Sequence, residues 1–340
     1  MLFTRLLRLI LLFGAAGLVL PLSLATAGAK GPSSQTCMPA GGTGLTAAVV
    51  ATAGQIVTGT IDATGCNIGV YVGPWASDVV ISGATITGAK DHGIFIQDTS
   101  NVIVENSTIS GNGVSPTKGI NENKGVELVG TSFSVVRNNI VTGNMADGGI
   151  GISDDGMIDA GAPRPGSPHP GMLNIVIGNR VTDNGGGCGI VVASYNAGQG
   201  VTHNLVADNT VSRNPAGIVV AADPPGTSTT DNWVMGNTIT DNSIPGVIIH
   251  SNAPGDTVSG TVVSGNAISG NGFFPEVGLT DPAQGAGIIL VGEVNPVTDT
   301  FIAANSISGE YFGVWERHAS GTRVLDLGLN KATVPDTLRP

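Results

Sequence analysis

Charge is scarce in this sequence: Asp, Glu, Lys and Arg make up 11% of 340 residues, and Phe, Trp and Tyr only 4%. Such an alphabet excludes long amphipathic helices, whose solvent faces need those charged residues. The few basic residues are scattered singly and the formal net charge is −11, so nucleic acid and other polyanions are poor long-range partners. Cysteine is nearly absent, and Cys37, Cys66 and Cys188 match no metal-binding spacing. Only the N-terminus has a long apolar run. There Arg5 and Arg8 precede the stretch Leu9 to Leu24, which Gly14, Gly17 and Pro21 interrupt and the small-residue site Ala25-Thr26-Ala27 follows. That order is the one expected of a secretory signal peptide over residues 1–27. Its removal takes two positive charges, so −11 becomes about −13 and the product is exported. In an oxidising compartment a Cys37 to Cys66 bridge is expected, with Cys188 left as a buried free thiol.

What the chain has in abundance is glycine, 52 residues of it, and a hydrophobic content of 41% that is mostly Val, Ile and Ala. That content excludes disorder. The glycines recur in one phrase, cleanest in Gly189-Ile190-Val191-Val192 and repeated at Gly69, Gly93, Gly125, Gly149, Gly217, Gly246, Gly287 and Gly313. A second phrase alternates with it: Asn139-Ile140-Val141, Asn179-Arg180-Val181, Asn209-Thr210-Val211, Asn237-Thr238-Ile239, Asn266-Ala267-Ile268 and Asn305-Ser306-Ile307. Two interleaved short strands per unit, cornered by Gly and Asn, describe a coil that climbs by stacking on itself. The Asn residues are read as turn formers that tolerate left-handed backbone and whose amides hydrogen-bond up the column.

The expected organisation is a lead-in and cap over residues 28–54, with a short helix in the Thr46 to Ala53 stretch, then coils over 55–329 and a frayed tail over 330–340. Insertions at Gly113 to Lys124, Gly156 to Met172 and Gly272 to Gly285 loop out of an otherwise regular stack. Within each glycine phrase, positions one and three are Val, Ile or Leu and face the core. Position two then faces outward and reads Tyr71, Phe95, Glu127, Gly151, Val191, Val219, Ile248, Ile289 and Trp315, an unusually apolar stripe for a surface.

These phrases, such as Gly236-Asn237-Thr238-Ile239-Thr240-Asp241-Asn242, resemble the right-handed parallel β-helix superfamily of pectate lyases, alginate-modifying enzymes and periplasmic NosD-like proteins. The resemblance implies an all-β, single-stranded solenoid of about ten coils and says little about activity. Polygalacturonase-like signatures are matched only at Gly151-Ile152-Ser153-Asp154-Asp155. The alginate-epimerase Asp-Pro-His-Glu phrase is echoed only in Ser167-Pro168-His169-Pro170, and the five histidines form no repeated ligand pair for copper.

β-Helices with loop walls offer a shallow groove to extended ligands, and all three insertions border the glycine-phrase strands. Near the first two, His92 and Asp98, Lys124 and Glu127, Asp154 and Asp155, and Tyr195 converge. Glu127, between Phe95 and the gap expected at Gly151, is the candidate acid or base, with desolvation raising its pKa and Lys124 opposing that. Asp154 or Asp155 is its candidate partner, although a solvated Asp pair opening a loop fits equally. Phe95, His92, Lys124, Tyr195, Arg164 and His169 are candidate substrate contacts. A second cluster gathers Asp223, His250, Glu293, Trp315, Arg317 and His318; Trp315 would stack on a sugar or simply cap the last coil. Calcium is a candidate at Asp154, Asp155 and Asp159. The expected function is a secreted polysaccharide lyase, epimerase or glycosidase, and the alternative is a non-catalytic exported scaffold whose apolar stripe binds a partner or a second copy.

Overall fold

The computed structural model describes residues 36–117, 123–154, 169–272 and 285–325. The expected signal peptide, Asp155, Asp159, Arg164 and the C-terminal tail lie outside them, as do part of the first insertion and most of the other two.

Among the described residues three sheets run up the stack, and all but one of their strand pairings are parallel. Sheet A has eleven strands, among them Ile68–Val72, His92–Gln97, Val126–Val129, Gly148–Ser153, Cys188–Ser194, Ala216–Ala222, Val247–Ser251, Ala286–Gly292 and Phe312–Arg317. These are the glycine phrases, in the register that their glycines set. Sheet B has seventeen strands in two columns, and sheet C adds six short ones. The Asn phrases form the second column of sheet B. Its first column, exemplified by Ile175–Ile177 and Leu205–Ala207, and all of sheet C are additional to the two strands per coil expected from the repeat.

The corners explain the Asn residues, with one correction. Left-handed backbone falls on the residue before each Asn, at Asn138, Gly178, Asp208, Gly236, Gly265 and Ala304, with φ between 53° and 69°. The phrase Asn itself is turned inward. Asn139 donates Nδ2–H to Asn179 Oδ1 at 3.0 Å, and Asn179, Asn209, Asn237, Asn266 and Asn305 continue the chain of amides. Each Nδ2 also serves a backbone carbonyl of the preceding coil, as Asn209 does to Val176 at 2.9 Å, so these buried amides are satisfied from both sides. A second ladder runs Asn112, Asn144, Asn184, Asn214, Asn242, Asn271 and ends on Glu310. A third, shorter one joins Asn174, Asn204 and Asn232.

Glycine stands at the start of the sheet A strands from Ile68–Val72 onward because that corner has no room. A Cβ on Gly93 would stand 2.5 Å from Ile109 Cγ2, 2.6 Å from Gly125 O and 2.9 Å from Asn112 Nδ2. The inward Val and Ile ladder, from Val70 and Ile94 to Leu290 and Val314, forms one continuous core with the central residues of sheet B.

The N-terminal end differs from expectation. Thr46–Val50 is a strand, paired parallel to Ile68–Val72, and no helix lies there. Its β-branched Val49 and Val50 favour an extended chain, and the sheet edge beside it offers a full ladder of hydrogen bonds. Met38–Pro39 then adds an antiparallel edge strand, where Pro39 lacks the N–H that another chain would pair with. Cys37 is bridged to Cys66, tying this edge to the first complete coil.

Candidate functional site

Alternation on sheet A places three outward columns side by side. The middle one runs in unbroken register through Tyr71, Phe95, Glu127, Gly151, Val191, Val219, Ile248, Ile289 and Trp315. This is the expected stripe, in the expected order. Its exposure is not as expected: Val191, Val219, Ile248, Ile289 and Trp315 keep only 5–9% of their surface. They pack with Ala193, Ala216, Ala221 and Ala286 and against half-buried Cys188, Tyr195, Ile244, Val291 and Phe312. Tyr71 and Phe95 are likewise buried, stacked on each other and packed with Ala40, Ala47 and Leu45 of the N-terminal segment. An open apolar groove along this stripe is therefore corrected to a covered, well-packed face.

Glu127 and Lys124, each 1% exposed, form a buried charged pair with Oε2 and Nζ 3.7 Å apart. Lys124 also donates to Asp147 Oδ2 at 2.9 Å, and Asp147 reaches solvent. Ser153 Oγ donates to Glu127 Oε1 at 3.3 Å. The gap expected at Gly151 is filled by this pair: a Cβ there would collide with Glu127 Oε2 and stand 2.6 Å from Lys124 Cδ. Gly151 thus makes room for the ion pair itself. His92 is buried next to it, its ring stacked on Phe95 with centroids 4.7 Å apart, and its Nδ1 accepts from the Lys124 backbone N–H at 3.4 Å.

Asp154 is engaged as a loop anchor. Its carboxylate accepts from Ser194 Oγ at 2.5 Å, from the N–H of Tyr195 at 2.8 Å and Asn196 at 3.2 Å, and from Gly200 N–H at 2.9 Å. Burial pushes its pKa above the ordinary Asp value, and these donors pull against that rise. Of its expected neighbours, Tyr195 is brought close through its backbone N–H, while exposed His169 lies against Gly130 beside the Glu127 coil. Asp91, which the sequence did not single out, is another anchor: fully buried, it holds Thr117 through N–H at 2.6 Å and Oγ1 at 2.7 Å. Among the described residues no group of three His, Cys, Asp or Glu side chains is placed to hold a metal ion.

The second cluster is more accessible. His250 and Asp223 are 20% and 30% exposed, with His250 Nδ1 3.7 Å from Asp223 Oδ1. Asn252 bridges them, its Oδ1 2.8 Å from His250 Nδ1 and its Nδ2 donating to Asp223. Arg317 stands in the His250 column two coils on, paired with Glu293, and its guanidinium lies 5.9 Å over the Trp315 ring. Trp315 is thus covered by Arg317, as a cap of the last coils would be. His318 occupies a left-handed corner at φ 51°. Asn252 is the member of this cluster that the sequence did not single out; its two-residue spacing from His250 was the available signal.

Residues 43–160 match the family described as the right handed beta helix region. Among solved structures the chain is similar to a hyperthermoactive exopolygalacturonase from Thermotoga maritima, with a TM-score of 0.50 and 14% identity over 75% of this chain and 52% of that one. It is also similar to the A-module of a mannuronan C-5 epimerase from Azotobacter vinelandii, with a TM-score of 0.50 and 14% identity over 85% and 82% of the two chains. The chain is a right-handed parallel β-helix. This β-helix spans about half the length of the exopolygalacturonase it matches. A weaker likeness, with a TM-score of 0.42 and 12% identity over 83% and 73% of the two chains, is to the Streptococcus pneumoniae surface adhesin PfbA. No curated protein matches the sequence.

Proposed function

We propose that this β-helix is an exported, carbohydrate-active protein that handles an extended polysaccharide at the edge of sheet A where Asp223, His250, Asn252, Glu293 and Arg317 gather. The observation that carries the reading is accessibility. This cluster keeps its imidazole, carboxylates and guanidinium partly in solvent, whereas Glu127 and Asp154 are buried in contacts that the fold itself uses. His250, oriented by Asp223 and Asn252, is the group suited to move a proton to or from a sugar, and Arg317 the group suited to hold an oxygen substituent. The Cys37–Cys66 bridge favours an oxidising compartment. The fold is shared with a polygalacturonase and a mannuronan epimerase, which supports lyase, epimerase or glycosidase chemistry as the class to test.

The test is a panel of polysaccharides incubated with the full chain, following reducing ends and the absorbance of unsaturated products. Turnover that falls about a hundredfold or more in His250→Ala and persists in Glu127→Gln would support this assignment. Turnover lost only in Glu127→Gln would return the chemistry to the buried pair. A second reading, a non-catalytic binding scaffold, is favoured by the structural employment of both Glu127 and Asp154. It predicts binding of a polysaccharide without any product.

A further inference from the structure

Sheet B also turns an apolar face outward, and this one is open. Its first column includes the strands Ile175–Ile177, Leu205–Ala207, Trp233–Met235, Val262–Ser264 and Phe301–Ala303, stacked in register. The middle residue of each is buried in the core, so the first and third face out. None of these outward residues is charged, and Ser264 is the one polar residue among them. Ala207 and Ala303 are covered by their neighbours, and the rest are half-buried. Size differs across the strand: Leu205, Val262 and Phe301 stand first, where the third positions hold only Ala207, Ser264 and Ala303. The face continues through Val135 to Ile103, bordered at its corners by Phe133 and Leu173, which are 54% and 36% exposed. There the third positions are Arg137 and Glu105, neutralised by two hydrogen bonds at 2.8 and 2.6 Å.

We propose that this face is the contact between two copies of the chain, related by a two-fold axis parallel to the stack. It goes beyond the reading above, because it concerns a different sheet and stands whether or not sheet A has any activity. Area admits a second copy. From Ile103 to Phe301 there are six steps of about 4.8 Å, and from the Leu173 corner to Ile177 four residues of about 3.3 Å, so with its side chains the face covers about 600 Å². Two copies would bury about 1,200 Å², the lower bound for a specific interface, with apolar columns at the centre and the corners as a polar rim. Charge directs the copies here. The chain carries a formal net charge of −11, and these strands offer two acidic molecules an approach without like charges opposed. Shape sets the axis. A two-fold along the stack keeps each coil level with the same coil of the second copy and runs the facing strands in opposite directions, so first positions meet third positions. Leu205 then fills the gap over Ala207, Val262 that over Ser264 and Phe301 that over Ala303, each twice. At the Trp233 level the indole meets Met235, whose unbranched thioether adapts to a ring. On the rim, exposed His203 comes level with exposed Asp208 of the second copy. A two-fold across the stack would instead set the large column on the large column. Trp233 is already steadied by the edge of His203, with ring centroids 5.8 Å apart, so little order has to be gained on association. An interface of this size fits a dissociation constant of about micromolar order. Well below it the chain is single and the face is wet.

The experiment is sedimentation velocity of the full chain from about 0.1 to about 100 μM, a range that brackets a micromolar constant. Wild type should pass from monomer to dimer. Leu205→Glu would bury two carboxylates over Ala207 and should weaken the dimer about a hundredfold or more, while His250→Ala on sheet A should leave it unchanged. Circular dichroism checks that each variant keeps its strand spectrum. If Leu205→Glu loses it, Met235→Lys, at a half-buried outward position, replaces it, with dissociation again expected. The axis has its own test: Ala207→Lys alone should also be monomeric, and an equal mixture of Ala207→Lys with Leu205→Glu should recover most of the association, because the two sites face each other. A wild type that stays monomeric throughout the range, or a dimer that the folded variants leave intact, would overturn the proposal. So would a monomer that binds a polysaccharide in a Leu205→Glu-sensitive way, which would give the face to a sugar chain. A mixture that stays monomeric would overturn the axis.

Discussion

Sheets A and B both turn a rank of apolar side chains away from the core, and the two ranks meet different surroundings. On sheet A, Val191, Val219, Ile248 and Ile289 are flanked by Ala216, Ala221, Tyr195 and Phe312 and are almost wholly buried. On sheet B, Val135, Ile175, Leu205 and Trp233 stand between corners that turn away from the strand, at Phe133, Leu173, His203 and Asp231 on one side and Asn138, Gly178, Asp208 and Gly236 on the other, and stay half in solvent. Outward is therefore a property of the strand, fixed by its two-residue alternation, while exposure is a property of what stands beside the strand. Sheet A also contains the break that sheet B lacks. At the Glu127 coil the apolar rank gives way to a buried ion pair laid over Gly151.

That pair supplies the largest expected effect. Lys124→Ala would leave the Glu127 carboxylate buried without its ammonium, a loss of about 3–5 kcal/mol. Urea denaturation of the full chain should register it as a marked fall in the midpoint. The double variant Lys124→Met with Glu127→Leu should recover most of the loss, because two apolar side chains can fill the volume over Gly151 without a charge to compensate. A single variant as stable as wild type would mean that water reaches the pair and that sheet A is more open than its packing implies.

The ranks themselves give the next contrast. Ile248→Ser removes a buried apolar side chain from sheet A and should cost about 1.5–3 kcal/mol. Leu205→Ser makes a similar change on sheet B, where part of the side chain is already wet, and should cost about 1 kcal/mol or less. Thermal denaturation of the two variants side by side tests the comparison directly, and equal losses would erase the distinction between a covered and an open face.

Much of this architecture was legible before any coordinates. The glycine phrases fixed the sheet A register to the residue, including Phe95 opposite Glu127 and Glu127 opposite Gly151, because a crowded corner admits only glycine and every strand restarts from it. The Asn column was legible for a related reason: buried amides need partners, and stacked identical residues provide them. What stayed hidden depended on contacts between coils. The first column of sheet B is headed by Asn only at Asn174, Asn204 and Asn232, with Ser134, Thr261 and Thr300 on other coils, so no single phrase repeats to mark it, and the strands of sheet C are two or three residues long, too short for a periodic signal. The engagement of Asp154 depends on Ser194 and Gly200 from the next coil, and its spacing in sequence gives no hint of four donors converging on one carboxylate. The Thr46 to Ala53 stretch was misread as helix because the sheet edge awaiting it could not be seen.

The smallest expected effect lies where the chain leaves sheet B for sheet A. There the Asn ladder that begins at Asn112 ends on Glu310, whose carboxylate accepts from Asn271 N–H at 3.0 Å and Asn271 Nδ2–H at 2.9 Å. Burial raises the Glu310 pKa above the ordinary Glu value, and the two Asn271 donors work against that rise. Since the folded pKa lies above the unfolded one, the folded state holds the proton more tightly. Stability from this group is therefore fully present below the unfolded pKa and declines as pH rises through the folded pKa. Glu310→Gln keeps an oxygen to accept from Asn271 and removes the ionisation. The variant should match wild type in acid and become the more stable of the two toward neutral pH, by less than either effect above. Melting temperatures of both proteins measured across that range would show the curves diverging as pH rises. Curves that stay parallel would mean that the ladder's last acceptor is solvated in both ionisation states, and that this corner is as open as the face of sheet B beside it.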